Sequence, residues 1–147
     1  MQARAQYSIF GTSATPKTLT GSFVADSAHN NGVLFFDGFR EITLNIKFIT
    51  GSATGEFCQV QLETSNDGTN WFVYSEVNQP DASPITKLLI SATPYQFPSE
   101  VATPGSATTY QTSYSIKLQA KWVRLKVKST AGANFGSAWL EVWFSER

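Results

Sequence analysis

The sequence is poor in the residue types on which many catalytic and metal sites depend. It contains one cysteine, Cys58, and one histidine, His29, in 147 residues. A lone cysteine excludes an intrachain disulfide and a thiolate cluster, and a lone histidine leaves no second imidazole for a histidine-based metal site. We therefore expect Cys58 to be a small buried hydrophobe and His29, in the polar stretch DSAHNNG, to be a solvated loop residue.

Neither charge nor hydropathy marks the chain for a nucleic acid or a membrane. Eleven Lys and Arg balance eleven Asp and Glu, so no net field attracts an anionic partner. The longest apolar runs, VLFF and KLLI, are far shorter than a membrane span. The N-terminal stretch MQARAQYSIFGTSATPK lacks the apolar run of a secretory signal. We expect a chain without a signal peptide, made in a cytoplasm, that binds neither nucleic acid nor membrane.

The chain also lacks the motifs of common enzyme classes. Its carboxylates stand singly, at no spacing that indicates a glycosidase pair. The stretches GSATGEF and TPGSATT lack the lysine and the strand-to-helix setting of a phosphate-binding loop. We predict a non-enzymatic protein with no catalytic residues, no cofactor and no metal ion.

What the sequence does have is a strong alternation of apolar and polar residues. The stretch EITLNIKF places Ile42, Leu44, Ile46 and Phe48 on one face, as period two requires of a half-buried strand. The same pattern recurs in SYSIKLQA, WVRLKV and AWLEVWF. Serine, threonine, glycine and proline interrupt the chain too often for a long helix.

Weaker strand signals complete the prediction of the fold. They lie at residues 5–10, 18–25, 33–36 and 85–91. Together with the stronger signals they give about eight to ten strands, a number typical of sandwiches and jelly rolls. We predict an all-β fold with one domain over residues 1–147, built as an antiparallel β-sandwich or jelly roll with long loops.

The stretch SNDGTNWF, residues 65–72, predicts a tight hairpin. Asn66, Asp67 and Gly68 suit a three-residue loop made of a type I turn and a left-handed glycine. The Asp67 carboxylate is then a cap for backbone N–H groups. We interpret these three residues as turn formers and not as ligand residues.

Two registers of this hairpin place its aromatic residues differently. A three-residue loop pairs Ser65 with Thr69, which sets Phe72 opposite Leu62 on the apolar face and Trp71 on the polar face. A four-residue loop slips the register by one and turns Trp71 inward. Turn chemistry favours the first register.

The hairpin and a later strand resemble a known family. SNDGTNW, followed by AKWVRLKV and a last strand, is similar to the galactose-binding-like jelly rolls, the discoidin type included. In that family an S-x-DG-x-x-W hairpin precedes a late A-[RK]-[YW]-[VI]-R-[LI] strand. The resemblance covers residues 41–147 and implies a jelly roll with ligand loops at one pole. Discoidin-type modules usually carry a disulfide that joins their ends, which this chain lacks, and no ligand residue carries over.

Two late strands have unusual outward faces. WVRLKV presents Trp122, Arg124 and Lys126, and AWLEVWF presents Trp139 and Trp143 on either side of a glutamate. If these strands are neighbours, indoles and cations stack across them and the glutamate pairs with a base. The indoles still require cover, by another part of the chain, a neighbouring subunit or a sugar ring.

Two further segments have the character of extended arms. Residues 91–111 hold three prolines, and a loop of this length is usually functional. Its Tyr95 and Phe97 are apolar anchors that favour a docked segment. The N-terminal residues 1–20 are similar in kind, and subunits of an assembly lay such extensions across their neighbours.

These features lead to an expectation of function by general likeness. Neutral charge, no disulfide, loops rich in small residues and extended arms look like a virion protein of a tailed bacteriophage, made in the host cytoplasm. We expect a homo-oligomer that binds neighbouring capsid subunits as a decoration or auxiliary protein, with a tail or fibre component next. The alternative is a carbohydrate-binding module of galactose-binding-like type, which uses loops or Trp139 and Trp143 against sugar rings.

Overall fold

The computed structural model describes residues 4–52, 56–74, 96–97 and 108–146. Within this part of the chain lie ten strands and one 3-10 helix. The elements are β1 Arg4–Phe10, β2 Lys17–Thr18, the 3-10 helix Ser27–Gly32, β3 Val33–Phe35, β4 Glu41–Ile49, β5 Cys58–Ser65, β6 Phe72–Val73, β7 Gln96–Phe97, β8 Thr109–Lys117, β9 Trp122–Ser129 and β10 Ser137–Ser145.

The strands form two antiparallel sheets, which confirms the predicted all-β sandwich. Sheet A has the order β1-β10-β4-β8, and β2 pairs with β10 beyond the end of β1. Sheet B has the order β3-β9-β5-β6, and β7 pairs with β5 beside the other end of that strand. Consecutive late strands β9 and β10 therefore belong to different sheets.

The core lies between the sheets and is built by the predicted alternation. Ile42, Leu44, Ile46 and Phe48 of β4 are at most 2% exposed, and full burial of each such side chain contributes about 1.5–3 kcal/mol. Cys58 of β5 is fully buried in the same core, as expected. Other core side chains come from β9 and β10: Val123, Leu125, Val127, Leu140, Val142 and Phe144.

The hairpin after β5 differs from both predicted registers. Thr64 pairs with Phe72, two residues away from the expected pairing, because Ser65 stays in the sheet opposite Trp122 of β9. A shift of two residues keeps each side chain on its predicted face, and Trp71 accordingly faces outward. Phe72 moves to the rim of the sandwich, where it is 68% exposed.

A buried carboxylate joins the β4–β5 loop to the β9–β10 loop at the end of the sandwich opposite this hairpin. Glu56 is fully buried and accepts hydrogen bonds from the Gly51 N–H (2.7 Å), the Gly136 N–H (2.8 Å) and the Ser129 hydroxyl. A Cβ at Gly136 would lie 2.1 Å from the Ile49 carbonyl oxygen, so only glycine permits this approach. Glu56 thus fixes the ends of β4, β9 and β10 together.

Several predicted segments fall partly or wholly outside the described residues. In the proposed N-terminal arm, residues 4–10 and 17–18 form β1 and β2 of sheet A. The strand expected over residues 18–25 is reduced to the end of β2 and a single bridge from Val24 to Val127, since Gly21 and polar residues interrupt the pattern. The strand expected at residues 85–91 and most of the loop at residues 91–111 lie outside the described residues.

Candidate functional site

The residues predicted for binding lie on two opposite outer faces of the sandwich. Trp122, Arg124 and Lys126 of β9 lie on the outer face of sheet B, and Trp139 and Trp143 of β10 lie on the outer face of sheet A. Stacking between these two sets, expected if the strands were neighbours, does not occur because β9 and β10 are in different sheets. The two sets belong to separate surfaces.

A charge cluster occupies the middle of the outer face of sheet B. Glu63 of β5 is only 6% exposed. Arg124 Nη2 donates to Glu63 Oε2 over 2.6 Å, and Lys126 Nζ lies 3.0 Å from Glu63 Oε1. Burial alone would raise the pKa of the Glu63 carboxyl, but the hydrogen bonds and charges of Arg124 and Lys126 outweigh burial and hold the pKa below its usual value. Two of the cations on this face are therefore engaged in ion pairs.

Aromatic side chains cover the same face. The Arg124 guanidinium carbon lies 4.4 Å from the centre of the Trp71 ring, in a cation–π contact. Phe35 meets Trp122 edge-on, with ring centres 4.7 Å apart. A Cβ at Gly68 would lie 3.5 Å from Trp122 Nε1, so the backbone of the hairpin loop packs on the indole. Trp122 and Arg124 on this face are thus partly covered by other parts of the chain.

The hairpin loop that covers Trp122 is held by its own side chains. Asp67 Oδ1 accepts from the Thr69 and Asn70 N–H groups, both at 2.8 Å, and from the Ser65 hydroxyl at 3.0 Å. These bonds hold the pKa of the Asp67 carboxyl well below its usual range. Gly68 has φ of +76°, the left-handed conformation that glycine adopts without strain. In this arrangement Asp67 directs its oxygens at its own loop.

Three loops meet at one end of the sandwich, which we call the loop pole: residues 36–40, 66–71 and 118–121. They enclose an open cleft of about 520 Å³, whose charged lining residues are Asp37, Arg40 and Lys121. The loops are tied together, since the Phe36 N–H donates to the Lys121 carbonyl (2.8 Å) and Asn66 Oδ1 accepts from the Lys121 N–H (3.4 Å). The loop pole is a fixed surface with mixed charge.

Two large aromatic residues flank the loop pole. Phe35 directly precedes the first of its loops and is 49% exposed, and Phe72 directly follows the second and is 68% exposed. The Tyr74 hydroxyl, two residues after Phe72, donates to the Lys117 carbonyl over 3.2 Å, so the edge of sheet B beside Phe72 is anchored to sheet A. The Phe35 ring packs on Trp122, and both phenyl rings remain open to solvent.

The outer face of sheet A is organised by neutral donors around one carboxylate. Glu141 lies between Trp139 and Trp143 on β10. It accepts hydrogen bonds from Gln6 Nε2 (2.6 Å), Asn45 Nδ2 (3.1 Å) and Trp143 Nε1 (2.6 Å). Burial would raise the pKa of the Glu141 carboxyl, but these three hydrogen bonds lower it. Glu141 therefore binds neutral groups and not the base that was expected.

Beside Trp139 this face has a groove of about 320 Å³. The indole of Trp139 forms one wall, and Gln111 and Ser113 of β8 form the other. Asn45 and Lys47 of β4 lie on its floor. Trp139 Nε1 donates to the Ser8 hydroxyl over 3.2 Å, on the side of the indole away from the groove, since Ser8 belongs to β1. Trp139 thus presents an oriented ring to the groove.

The single histidine lies in a tight cluster and not in a solvated loop. Asp26 is 3% exposed and accepts from the Gly11 N–H (2.9 Å) and the Ala28 N–H (3.0 Å). His29 Nε2 lies 3.7 Å from Asp26 and its side chain is 24% exposed, because Asp26 is the N-cap of the 3-10 helix that contains His29. Burial opposes ionisation of Asp26, but the two N–H groups and the nearby Lys17 and His29 lower its pKa.

In the part of the chain that the structure describes, Cys58 is not a reactive thiol and the acidic side chains form no metal site. Burial and the nearby Glu56 raise the pKa of the Cys58 thiol far above its usual range, which leaves it an unreactive thiol. Residues 4–52, 56–74 and 108–146 hold no group of three or more His, Cys, Asp or Glu side chains placed to bind a metal ion. Among the described residues, no helix has the length and apolar character to cross a membrane.

Sequence reasoning found some residues of these surfaces and missed others. Phe97 lies in β7, opposite Cys58, and Tyr95 lies outside the described residues. The groove residues Asn45, Gln111 and Ser113 were missed, because each is an ordinary polar position of an alternating strand. Their one signal is that β8 carries amides or hydroxyls at three successive outward positions, Gln111, Ser113 and Ser115, opposite Lys47, Asn45 and Thr43 of β4.

Comparison with known proteins adds no assignment. No protein-family model matches the sequence, and no curated protein matches it as a relative. The resemblance to galactose-binding-like jelly rolls therefore stays a prediction.

Proposed function

We propose that this chain is a non-enzymatic structural subunit that binds protein neighbours through its loop pole. More specifically, we propose a bacteriophage virion protein that binds neighbouring capsid subunits as a decoration or auxiliary protein. A tail or fibre component is the second candidate. The observation that supports it best is the exposure of two large aromatic residues at the loop pole, Phe72 at 68% and Phe35 at 49%.

Exposed aromatic residues of this kind favour association. Each Å² of apolar surface removed from water contributes roughly 25 cal/mol, and aromatic anchors surrounded by a polar rim are typical of interface hot spots. Asp37, Arg40 and Lys121 line the cleft of the loop pole and supply such a rim. Charges of both signs in this rim allow a partner to be selected by complementarity.

The fixed geometry of the loop pole supports the same proposal. The Arg40 N–H donates to the Ser145 carbonyl over 2.8 Å, and the Leu118 N–H donates to the Arg40 carbonyl over 3.0 Å. The loop of residues 36–40 is therefore bonded to β10 and to the neighbouring loop of residues 118–121. A surface that is already ordered loses little conformational entropy on binding, which suits a clamp between subunits.

Sedimentation velocity of aromatic variants tests the role of the loop pole. Phe72→Ser and Phe35→Ser are each expected to weaken self-association by about tenfold or more, as loss of a hot-spot anchor does. Tyr7→Ser is the matched control, since Tyr7 is 38% exposed on β1 of sheet A and is not one of the residues of the loop pole. Tyr7→Ser is expected to leave association within about twofold of the wild type.

Two outcomes would contradict this role. One is unchanged association of both Phe variants, and the other is an equal loss with Tyr7→Ser, which would show a general effect of surface hydrophobicity. Thermal unfolding of each variant, measured in parallel, separates loss of association from loss of folding.

The virion setting has a test of its own. Mass spectrometry of purified particles, from a culture that produces phage encoding this chain, is expected to find its peptides at a fixed ratio to the major capsid protein. Peptides confined to the soluble fraction would overturn the virion setting while leaving the loop pole as an interface.

A further inference from the structure

We propose that the groove beside Trp139 on sheet A binds an acidic saccharide, with one sugar ring stacked on the indole. The groove measures about 320 Å³ and its wall and floor come from Trp139, Asn45, Lys47, Gln111 and Ser113. This volume is near the lower end of the ~300–1,000 Å³ range of small-ligand sites. The site lies on a different sheet from the loop pole's exposed phenyl rings and does not depend on the function proposed for them.

The indole supplies the apolar part of the site. Trp139 is half-buried, and its Nε1 hydrogen is engaged by the Ser8 hydroxyl over 3.2 Å. The ring therefore has a fixed orientation and offers an apolar surface to the groove. A pyranose ring has a face of C–H groups, which packs on an indole, and a rim of hydroxyls, which require hydrogen-bond partners.

Amide and hydroxyl side chains supply those partners. Ser113 Oγ donates to Asn45 Oδ1 over 2.8 Å, and Asn45 Nδ2 donates to Glu141 Oε1 over 3.1 Å. These bonds orient the Asn45 amide and still leave one N–H and one lone pair for a ligand. Gln111 is exposed at the edge of the groove and adds both a donor and an acceptor. This set of side chains can bind a sugar hydroxyl both as a hydrogen-bond donor and as an acceptor.

The charge of the groove favours an acidic ligand over a neutral one. Lys47 is the charged side chain among its lining residues. The carboxylate of Glu141, on the neighbouring strand β10, already accepts from Gln6, Asn45 and Trp143. A uronic acid carboxylate placed beside Lys47 would form a charge-assisted contact while its ring lies on Trp139.

Calorimetric titration with matched trisaccharides tests the proposal. Tri-galacturonate is expected to bind, and the neutral trisaccharide of galactose to bind about tenfold more weakly, since one charge-assisted contact is lost. Lys47→Gln is expected to remove most of this preference, and raised salt to reduce it. Trp139→Ala is expected to weaken binding of both trisaccharides by about tenfold or more.

Trp143→Ala is the matched control. Trp143 is the same residue type on the same strand and face, but it lies four residues, about 13 Å, along β10 from Trp139 and does not line the groove. Its loss removes a hydrogen bond to Glu141 but no direct contact with the groove, so trisaccharide affinity is expected to change by about twofold at most. Gln111→Ala, at an exposed position that leaves the fold intact, provides a second groove variant in case Trp139→Ala fails to fold.

Several results would overturn the inference. Absence of binding by both trisaccharides at their highest soluble concentration removes the site. Equal affinity for the acidic and neutral trisaccharides removes the role of Lys47. Equal losses in Trp139→Ala and Trp143→Ala, or full affinity in Gln111→Ala, place any binding outside the groove.

Discussion

The outer faces of the two sheets bind their tryptophans and glutamates in different ways. Each carries tryptophans and a half-buried or buried glutamate at outward strand positions. On sheet B, Glu63 is bound by two cations, and the ring of Trp71 lies over one of them. On sheet A, Glu141 is bound by an indole and two amides, and a groove stays open beside it.

The difference follows from what the neighbouring strands supply. On sheet B, β5 contributes Glu63 opposite Arg124, and the hairpin loop after β5 returns over Trp122 and closes the face. On sheet A, β4 and β8 contribute amides and hydroxyls and are joined to no loop that returns over Trp139 among the described residues. An ion-paired, covered face serves stability, whereas an open groove lined by amides, a hydroxyl and Lys47 is suited to a ligand.

The largest expected effect tests the charge cluster of sheet B. Glu63→Gln leaves Arg124 and Lys126 without their counter-charge in a mostly buried site, so we expect a loss of about 3 kcal/mol in the free energy of unfolding. The matched change on sheet A, Glu141→Gln, removes a charge that binds neutral donors only and is expected to cost about 1–2 kcal/mol. Urea unfolding measures the loss of unfolding free energy in both variants. Equal losses would contradict the proposed difference between the two faces.

The second prediction concerns the cover over Arg124. Trp71→Ala removes the cation–π contact and exposes the cluster, with an expected loss of about 1–2 kcal/mol in unfolding free energy. Trp71→Phe keeps an aromatic face and is expected to recover at least half of this loss. A Trp71→Ala protein as stable as the wild type would show that sheet B is not closed by this residue.

The two faces are also expected to differ in how low pH affects the free energy of unfolding. Folding lowers the pKa values of both Glu63 and Glu141. Each carboxylate therefore stabilises the folded protein above its unfolded pKa, near 4.5. This stabilisation is lost as the pH falls through the lower pKa of the folded state. We expect Glu63→Gln to flatten the fall in stability below pH 4.5 more than Glu141→Gln does. A steeper fall of stability with decreasing pH in Glu63→Gln than in the wild type would contradict this prediction. Unfolding free energies measured across the acid range give the comparison.

The smallest expected effect lies at the edge of sheet A. Ser113→Ala removes one hydrogen bond to Asn45 at an exposed position, for an expected loss of about 0.5–1 kcal/mol or less. Denaturant unfolding is again the measurement, and Ser115→Ala, two residues along β8, is the control with a longer contact to Thr43 of 3.3 Å. A loss above about 2 kcal/mol would mean that the hydroxyl of Ser113 supports the fold as well as the groove.

The alternation of residues was enough to predict the strands and the face that each side chain takes. It could not predict which strand lies next to which, because period two says nothing about neighbours. WVRLKV and AWLEVWF have similar patterns, yet β9 and β10 lie in different sheets. The contact of Trp71 with Arg124 and the groove beside Trp139 both depend on those neighbours.

The hairpin register shows the same limit at short range. Asn66, Asp67 and Gly68 favour a tight loop when only the local sequence is considered. In the folded protein Ser65 pairs with Trp122, and the Asp67 carboxylate then bridges a longer loop with its own hydrogen bonds. A pairing formed across the sheet therefore determined the turn.

Solution mass by light scattering, at low and high concentration of the wild-type chain, tests the proposed role as an assembling subunit most directly. The account predicts a mass that is a defined multiple of the 16.1 kDa chain and that Phe72→Ser returns towards the monomer. A mass of 16.1 kDa at every concentration would contradict self-assembly through the loop pole.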